Sequence, residues 1–464
     1  MDKKIDHQNK FIMAKYNYSE NIYMNTYIDE SIYIFLNDFD DMNVYSMYPE
    51  MVVLDIDKDK NIDLEKIIDL KKEFNNEDFD YRSNKLKNIY IKINNKLKEF
   101  EEFNKDKKKL AEYIKQYKAT GQKLGRIRKY FSYEVIDYAV EVLEINPVTN
   151  AWLKCYELLT YFDIIPKKST DTFNSFHICE LPGTFILATN HYIKTKTTIK
   201  EFNWNAQSLN PWTTKEKGKF LPDQYGMAKK YKDRYHWAVD GTGDITKVIN
   251  ILFYQNQFKN MDFVTSDCGQ DSSEDFTMQE HKLNRVMFSQ FVCAVGMLKK
   301  GGNYIAKIFT IQTKKMIEMI YICTTLFDKV YIVKPLKTKP TSGERYLVCM
   351  GFNNNNNKLI DILINYLRVF DKRDSLIDMN KISNKFIDRL NNANNIMGYR
   401  RITSINQSIF QVKNFKYINE HDDIYIHNKK MVDYYVDYFM QYYKLEKLDN
   451  KDRMLDPIPK KKWN

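Results

Sequence analysis

The sequence predicts an α/β fold in which helical segments flank a mostly parallel β-sheet. Between about residues 146 and 353, short runs of β-branched and aromatic residues alternate with helical stretches, which is the pattern of a parallel α/β sheet. Residues 62–129 follow a charged helical pattern with few Gly or Pro, and helical patterning returns after an asparagine run at 353–357. We therefore divide the chain into a mostly helical, basic region at 1–140, an α/β domain at 141–355 and a mostly helical region at 356–464.

Hydrophobic patterning places the elements of the α/β domain. A helix is predicted over 277–299, and the Gly301–Gly302 pair is expected to close it with a tight turn. The last two strands are joined by residues 334–343, which leave no room for a helix, so they should form an antiparallel hairpin at one end of the sheet. The predicted strands are 176–179, 262–266, 304–309, 330–333 and 346–350.

Composition bounds the size of the core and the kind of partner. A chain of 464 residues with 43% hydrophobic content can bury one large core or two ordinary ones, which suits one enzyme domain with substantial flanks. The formal net charge of +11 favours polyanionic partners such as nucleic acid, although a coding bias toward AT-rich codons would also produce much of it. Between 113 and 130, basic residues interleave with tyrosines in a mixture that suits RNA and also suits a solvated helix face.

The cysteines and the apolar runs indicate a reducing, intracellular compartment. The six cysteines stand far apart without a C-x-x-C pair, which argues against a zinc site and against a disulfide framework. Residues 1–15 contain no apolar signal region, and no stretch approaches about 18 uninterrupted apolar residues, so we expect a soluble protein without a membrane span.

A turn after the first predicted strand is a candidate ligand-binding loop. Residues 176–185 form a β-run that breaks into a Pro182–Gly183 turn and then a helix, which exposes backbone N–H groups. In open α/β sheets, ligands bind at the carboxyl ends of strands, and a glycine lets a ligand approach the backbone closely. The alternative is an ordinary turn.

A second candidate loop carries two aspartates among glycines. Asp240 and Asp244 precede a predicted helix, and a loop carboxylate there would accept hydrogen bonds from an adenine amine or a ribose. A compatible alternative is that Asp244 caps that helix.

Four ionisable residues in separate segments complete the candidate chemistry. Asp267 ends a predicted strand, where a polar residue is well placed for catalysis. Lys307 lies within an apolar strand, and an ammonium buried there must be paired or functional, with Glu344 as a plausible carboxylate partner. Lys154 lies on an amphipathic helix that leads to the first strand, and alone it would be interpreted as a surface lysine.

Taken together, these segments resemble the FtsJ-like ribose 2′-O-methyltransferases, whose hallmark is an ordered Lys, Asp, Lys, Glu tetrad on a doubly wound sheet. Here the order is Lys154, Asp267, Lys307 and Glu344, in the local contexts AWLK, SD, GGNYIAK and SGERYLVC. The phrases DGTGDIT and KPLKTKPTSGERYLVC look most like the cap-specific messenger RNA enzymes, including the Adrift-type branch of eukaryotes and large DNA viruses. The resemblance covers roughly residues 146–352. It implies a Rossmann-like, doubly wound, mostly parallel seven-stranded sheet that ends in an antiparallel hairpin.

The resemblance also implies S-adenosylmethionine as the cofactor. Its methionine part is expected near Glu180, Pro182 and Gly183, and its adenosine part near Asp244, with Asp240 as the second choice. Thr184 stands where the family commonly has a second glycine, and its hydroxyl could cap the helix that follows. The residues expected to bind the cofactor are Cys179, Glu180, Leu181, Pro182, Gly183, Thr184, Phe185, Asp244, Ile245 and Asp267.

The implied activity is methyl transfer to a ribose 2′-hydroxyl of RNA, at a cap-proximal nucleotide of messenger RNA. Lys307 would act as the base, Asp267 and Glu344 would orient the two lysines, and no metal is required. Lys154 would stabilise the developing alkoxide. The alternatives are a 2′-O-methyltransferase of ribosomal or transfer RNA and a catalytically inactive RNA-binding subunit of a capping complex.

The implied partners are capped RNA and other capping or transcription proteins, with no membrane and with the oligomeric state left open. The expected location is the cytoplasm, at viral replication sites or in the virion if the chain is viral, with the nucleus as an alternative.

Overall fold

The computed structural model describes the parts of the chain that carry the sheet and the helices around it. The basic, tyrosine-containing stretch at 113–130 and most of the helical pattern at 62–129 lie outside these parts, so both stay predictions. The described residues are 52–55, 68–70, 88–96, 98, 131–168, 172–213, 222–269, 278–339, 341–353, 357–413, 436–437 and 439–456.

Strands and helices alternate through most of the described chain. The strands are β1 (Val52–Asp55), β2 (Thr172–Ile178), β3 (Glu201–Gln207), β4 (Tyr235–His236), β5 (Met261–Ser266), β6 (Leu298–Ile308), β7 (Phe327–Lys334) and β8 (Arg345–Phe352). The α-helices are α1 (Phe131–Glu141), α2 (Asn150–Phe162), α3 (Thr184–Lys196), α4 (Met227–Lys230), α5 (Val248–Gln257), α6 (Gln279–Val295), α7 (Lys314–Leu326), α8 (Asn357–Val369) and α9 (Asn384–Lys413). No helix within the described ranges combines the length and apolarity that a membrane crossing requires.

The strands form one sheet in the order β1-β7-β8-β6-β5-β2-β3-β4. β2 to β6 run parallel to one another, and β8 enters antiparallel between β6 and β7. Strands β2 to β8 confirm the predicted mostly parallel, seven-stranded sheet with its antiparallel hairpin. β1 adds an eighth strand, antiparallel to β7, from the region before the predicted domain. The sequence did not locate β3 and β4, because β3 is rich in polar residues and β4 has only 2 residues.

The Gly301–Gly302 pair lies inside a strand, so the prediction that it closes the preceding helix was wrong. α6 ends at Val295, and β6 starts at Leu298 and runs through both glycines. The pairing of β6 with β5 shifts register opposite this segment. A Cβ at Gly302 would lie 2.9 Å from the Lys299 carbonyl oxygen, so glycine here permits a bulge that a larger residue would obstruct.

Helix α2 carries Lys154, as predicted, and begins at a side-chain cap. The Thr149 hydroxyl accepts a hydrogen bond from the backbone N–H of Trp152 (3.1 Å), which satisfies a donor that the helix itself leaves unpaired. Trp152 stacks on Tyr156 with ring centroids 5.1 Å apart, and both rings contact His191 of α3 edge-on. This packing fixes the rotation of α2 about its axis and therefore the direction of Lys154.

Polar contacts in the core join the segments before and after the predicted α/β domain. The Tyr90 hydroxyl donates to Asn394 Oδ1 (2.6 Å) and accepts from the backbone N–H of Ile311 (3.0 Å). Arg345 of β8 donates to the same Asn394 oxygen at 2.8 Å. Tyr90 precedes the predicted α/β domain and Asn394 lies on α9, so both flanks contact the chain just after β6 and the start of β8.

A buried glutamate attaches the chain after α8 to helix α7. Glu318 Oε1 accepts hydrogen bonds from the backbone N–H groups of Leu376 and Ile377, and Oε2 accepts from the Tyr366 hydroxyl (3.2 Å). Burial raises the pKa of Glu318 to about 7. Three donors compensate in part for the hydration that the carboxyl group loses.

The loops after β3 and β4 are in close contact at the carboxyl edge of the sheet. The backbone N–H of Asn210 donates to the Thr242 carbonyl oxygen at 2.9 Å. A Cβ at Gly243, where φ is +65°, would lie 1.9 Å from the Ser208 carbonyl oxygen. A Cβ at Gly241, where φ is +72°, would meet nothing within 4 Å. Of these two positions, only position 243 requires glycine both for its backbone angle and for the close approach of the Ser208 backbone.

Gly243→Ala should destabilise the protein more than Gly241→Ala. Both changes place a side chain in the left-handed region, at a cost of about 1–2 kcal/mol, but only Gly243→Ala also displaces the backbone at Ser208. In urea titrations, we expect the free energy of unfolding to fall by about 1 kcal/mol for Gly241→Ala and by about 3 kcal/mol or more for Gly243→Ala. Equal losses would contradict the close approach of the two loops.

Candidate active site

Four ionisable side chains from separate segments meet at the carboxyl edge of the sheet. Lys154 Nζ lies 2.6 Å from Glu344 Oε1, and Lys307 Nζ lies 3.4 Å from Asp267 Oδ1. Lys307 also donates to the Asp267 backbone oxygen at 2.8 Å. The structure thus brings the four predicted residues together. The direct partner of Glu344 is Lys154 rather than Lys307, which corrects the pairing suggested by the sequence.

Strand direction explains the meeting of these side chains. Asp267 directly follows β5, Lys307 lies one residue before the end of β6, and Glu344 directly precedes β8. Because β8 is antiparallel to β6, its first residues lie at the same edge as the last residues of β6, and Lys307 pairs with Tyr346. Lys154 reaches this edge from the first half of α2.

The four side chains are mostly buried, with exposed fractions between 12% and 21%. Burial raises the pKa of Asp267 above its usual value, although Lys307 opposes the rise. Burial acts in the same direction on Glu344, but Lys154 and Lys307 outweigh it and hold the pKa of Glu344 below its usual value. Two lysines thus face two carboxyl groups in a place that a substrate can still reach.

Tyr346 is a further member of this cluster that sequence analysis missed. Its hydroxyl donates to Asp267 Oδ1 at 3.0 Å, and its ring lies over Phe185 with centroids 6.2 Å apart. Tyr346 stands two residues after Glu344, and alternate residues of a strand share a face, so this spacing was the available signal. Tyr346 connects the ionisable cluster with the 179–185 loop.

Gly269 allows the close approach of Lys307. A Cβ at Gly269 would lie 3.0 Å from Lys307 Nζ and 3.4 Å from its Cε. A larger residue would therefore press on the ammonium group. Glycine at position 269 therefore leaves room for the Lys307 side chain next to the chain that follows Asp267.

The 179–185 loop leads from β2 into α3 and places a carboxylate at the start of that helix. α3 begins at Thr184 with Gly183 in the cap position, at φ +99°, and glycine has no side chain that could cap the helix. Glu180 Oε1 accepts the backbone N–H of Phe185 at 2.6 Å. The expectation that the Thr184 hydroxyl caps the helix was wrong, because Thr184 is the first helical residue and Glu180 serves the exposed N–H group.

Two carboxyl groups lie near each other where this loop meets the end of β5. Burial raises the pKa of Glu180 to about 8, and the charge of Asp267 adds to the rise. The backbone N–H of Phe185 opposes it. Such a pair repels itself when both groups are ionised, and a positively charged ligand would relieve that repulsion.

Several residues predicted to bind a cofactor have buried side chains. Leu181, Phe185 and Ile245 belong to the hydrophobic core, so they can present only backbone atoms to a ligand. Pro182 is half-buried, and Gly183 and Thr184 are buried at the helix start.

The two loop aspartates make different contacts. Asp240 is bound through both oxygens, with Oδ2 paired to Lys247 at 2.6 Å. Asp244 Oδ1 accepts the backbone N–H and hydroxyl of Thr246, and no hydrogen bond to its Oδ2 occurs among the described residues. The alternative that Asp244 caps the helix was wrong, because α5 begins at Val248 with Lys247 in the cap position.

Gln207, also missed by sequence analysis, holds the two candidate ligand loops together. Its Oε1 accepts the backbone N–H of Cys179 (3.0 Å), and its backbone oxygen accepts that of Glu180 (2.9 Å). Its Nε2 donates to the Gly243 carbonyl oxygen. The pairing of β2 with β3 places Gln207 opposite Ile178, and no pattern within β3 itself reveals this role.

Cys179 and Cys268 form a disulfide, although the wide spacing of the cysteines argued against a disulfide framework. Their Cα atoms are 5.0 Å apart although they are separated by 89 residues in the sequence. β2 and β5 are parallel neighbours with Ile178 opposite Ser266, so the residues that follow the two strands come together. The disulfide joins the 179–185 loop to the chain that carries Asp267.

Comparison with known proteins agrees with this geometry. Residues 147–352 match the model of the FtsJ-like methyltransferase family. Uncharacterized protein L511 of Acanthamoeba polyphaga mimivirus is 32% identical over 233 residues, which cover 49% of this chain and 28% of that protein. Cap-specific mRNA (nucleoside-2′-O-)-methyltransferase 2 of Danio rerio is 30% identical over 210 residues, which cover 44% of this chain and 28% of that protein. Probable methyltransferase EP424R of African swine fever virus is 32% identical over 215 residues, which cover 43% of this chain and 48% of that protein.

The matched segments span less than half the length of each of these relatives. The segment that matches the family model contains strands β2 to β8 and all four ionisable residues of the cluster. Residues 147–352 form an FtsJ-like methyltransferase domain.

Proposed function

We propose that this chain transfers a methyl group from S-adenosylmethionine to a ribose 2′-hydroxyl of RNA, at a cap-proximal nucleotide of messenger RNA. The observation that carries the proposal is the meeting of the Lys154–Glu344 and Lys307–Asp267 pairs beside the 179–185 loop. The FtsJ-like domain supports the reaction, and relatives named as cap-specific mRNA 2′-O-methyltransferases support the substrate.

The residues around Glu180 fit a positively charged cofactor. Burial and the charge of Asp267 raise the pKa of Glu180, and a sulfonium beside the two carboxyl groups would stabilise their ionised forms. When bound, S-adenosylmethionine supplies a methyl group on a cationic sulfur atom. We assign its methionine part to Glu180, Pro182 and Gly183, and its adenosine part to Asp244, which has an unused carboxylate oxygen among the described residues.

Lys307 is suited to accept the proton of the 2′-hydroxyl. A ribose hydroxyl is a weak nucleophile near neutral pH, so its proton must pass to a base while the oxygen is aligned with the methyl group. Asp267 holds Lys307 Nζ through a carboxylate oxygen and a backbone oxygen, and Tyr346 fixes that carboxylate. In the proposed step, Lys307 Nζ, after it has released its own proton, accepts the proton of the ribose O2′.

Lys154 is suited to stabilise the oxygen that loses this proton. Glu344 holds its ammonium group at 2.6 Å and orients it at the same edge of the sheet. A fixed positive group that faces a developing negative oxygen lowers the barrier without proton transfer.

The assay that tests the function uses methyl-labelled S-adenosylmethionine and RNAs that share one sequence. One RNA is capped, one carries a 5′-triphosphate, and one is capped with 2′-deoxyribose at its first two nucleotides; a ribosomal or transfer RNA completes the set. We expect label on the capped RNA alone, and none on the deoxyribose control. Transfer regardless of the cap would support a ribosomal or transfer RNA substrate, and RNA binding without transfer would refute the enzymatic proposal.

Lys307→Ala should abolish methyl transfer and leave cofactor binding intact. Loss of a general base lowers kcat by about 10²- to 10⁴-fold, whereas the dissociation constant of S-adenosylmethionine should change less than about threefold. Lys299→Ala is the matched control, because Lys299 lies near the other end of the same strand and also pairs with an aspartate, Asp262 of β5. Single-turnover kinetics and calorimetry measure the two quantities. Normal turnover in Lys307→Ala would exclude Lys307 as the base.

The preference for S-adenosylmethionine over S-adenosylhomocysteine should rise with pH. Glu180 is protonated below its raised pKa of about 8 and ionised above it, and only the sulfonium ligand favours the ionised form by charge. Between pH 6 and 9, the ratio of the two affinities should increase about tenfold for each unit by which the sulfonium lowers the pKa of Glu180. The same titration on Glu180→Gln serves as the reference, because its pH dependence reports the ionisation of the ligands without that of Glu180. An unchanged slope in that variant would show that Glu180 is not near the sulfur.

A further inference from the structure

A buried carboxylate lies one helical turn after Lys154 on α2. Glu157 is fully buried, and Oε1 accepts hydrogen bonds from the backbone N–H of Leu336 (2.6 Å) and the hydroxyl of Tyr443 (3.2 Å). Oε2 accepts the backbone N–H of Lys337 at 3.3 Å. The carboxylate thus binds the connection between β7 and β8 and a residue of the C-terminal region.

The same connection ends at Glu344, the partner of Lys154. Residues three apart on a helix lie on one face, so Lys154 and Glu157 both point from α2 toward the hairpin. α2 therefore contacts the hairpin connection twice, through Glu157 at its beginning and through the Lys154–Glu344 pair at its end. The first contact limits how far the helix and the connection can move relative to each other.

Other polar contacts hold the connection from different directions. Lys334 Nζ donates to the backbone oxygens of Ser342 (2.9 Å) and Glu344 (3.2 Å), which closes the base of the hairpin. Arg401 of α9 donates to the Thr341 oxygen at 2.9 Å. Of these contacts, Glu157 is the one that comes from the helix bearing Lys154.

We propose that Glu157 is a positioning residue for the reaction: it sets the separation between α2 and the β7–β8 connection, and thereby the alignment of Lys154 with Glu344. This inference rests on the proposed function, in which Lys154 stabilises the reacting oxygen. Glu157 touches neither substrate nor cofactor in this scheme and acts through the Lys154–Glu344 pair. Tyr443 extends the same arrangement to the C-terminal region.

Glu318 offers a matched control for a purely structural role. It also accepts two consecutive backbone N–H groups and a tyrosine hydroxyl, and it lies near a lysine, Lys315, as Glu157 lies near Lys337. Burial raises the pKa of both carboxyl groups to about 7. Glu318, however, joins α7 to the segment after α8 and has no contact with the cluster.

The test compares Glu157→Gln with Glu318→Gln in the full chain. Glutamine keeps the shape of the side chain but turns an –NH₂ group toward a backbone N–H, so both variants should lower the urea midpoint of unfolding by similar amounts. We expect Glu157→Gln alone to lower kcat, by about 10- to 100-fold, with the dissociation constant of S-adenosylmethionine unchanged within about threefold. Equal kcat values in the two variants would overturn the proposal.

A second readout needs no turnover. Acetylation of lysines by an N-hydroxysuccinimide ester, followed by mass spectrometry, reports the accessibility of Lys154 with Lys299 as the internal reference. Lys154 should react about threefold faster or more in Glu157→Gln and at the wild-type rate in Glu318→Gln. If the wild type transfers no methyl group to any RNA, the proposed function fails, and an unchanged Lys154 rate in Glu157→Gln refutes the positioning role independently.

A milder pair of variants tests the proposal if Glu157→Gln or Glu318→Gln does not fold. Tyr443→Phe removes one donor to Glu157, and Tyr366→Phe removes the corresponding donor to Glu318. Tyr443→Phe should lower kcat by about two- to fivefold and Tyr366→Phe should leave it unchanged. A drop in both variants, or in neither, would contradict the role assigned to Glu157.

Discussion

Each lysine of the ionisable cluster is held by a carboxylate from a different segment of the chain. An ammonium group in a mostly buried place is costly unless it is paired and hydrogen-bonded, so the cluster exists only when its segments are correctly placed. Lys154 depends on α2 and the hairpin, and Lys307 depends on β5 and β6. This requirement gives a physical reason for the dense hydrogen bonding around the cluster, in which Tyr346 fixes Asp267 and Lys334 closes the base of the hairpin.

Buried carboxylates have a second task in this protein, which is to bind backbone N–H groups of irregular connections. Glu157 does so after β7, Glu318 before α9, and Glu280 accepts the N–H groups of Gln312 and Thr313 before α7. A connection without regular structure leaves such donors unpaired, and an unpaired buried N–H group is costly. A carboxylate can accept several donors at once, so one glutamate organises a whole turn. The helices α2, α6 and α7, which carry these three glutamates, therefore bind the irregular connections directly.

The corrected expectations have a common origin in local signals that fit more than one structure. Two adjacent glycines suit a helix end and also a bulge, and the register of β6 on β5 selects the bulge. Thr184 could cap α3, but Glu180 already accepts the N–H group of Phe185. Cys179 and Cys268 are far apart in the sequence, yet they follow adjacent parallel strands. In each case a contact with a distant segment decides between alternatives that the local residues leave open.

The sequence by itself determined five strands with their antiparallel hairpin, the helix that carries Lys154, and the placement of Asp267, Lys307 and Glu344 at or beside separate strand ends, whereas the count of seven strands came from the family resemblance. These features depend on hydrophobic periodicity and on residues next to each strand, which are local properties of the chain. Only the tertiary structure decided which carboxylate holds which lysine, which loops Gln207 joins, and which segments Tyr346 and Glu157 contact. Lys154 and Glu344 are separated by 190 residues, and Gln207 and Gly243 by 36. Such partners come within hydrogen-bonding distance only through the register of the strands and the packing of α2, and no short-range pattern encodes either of them.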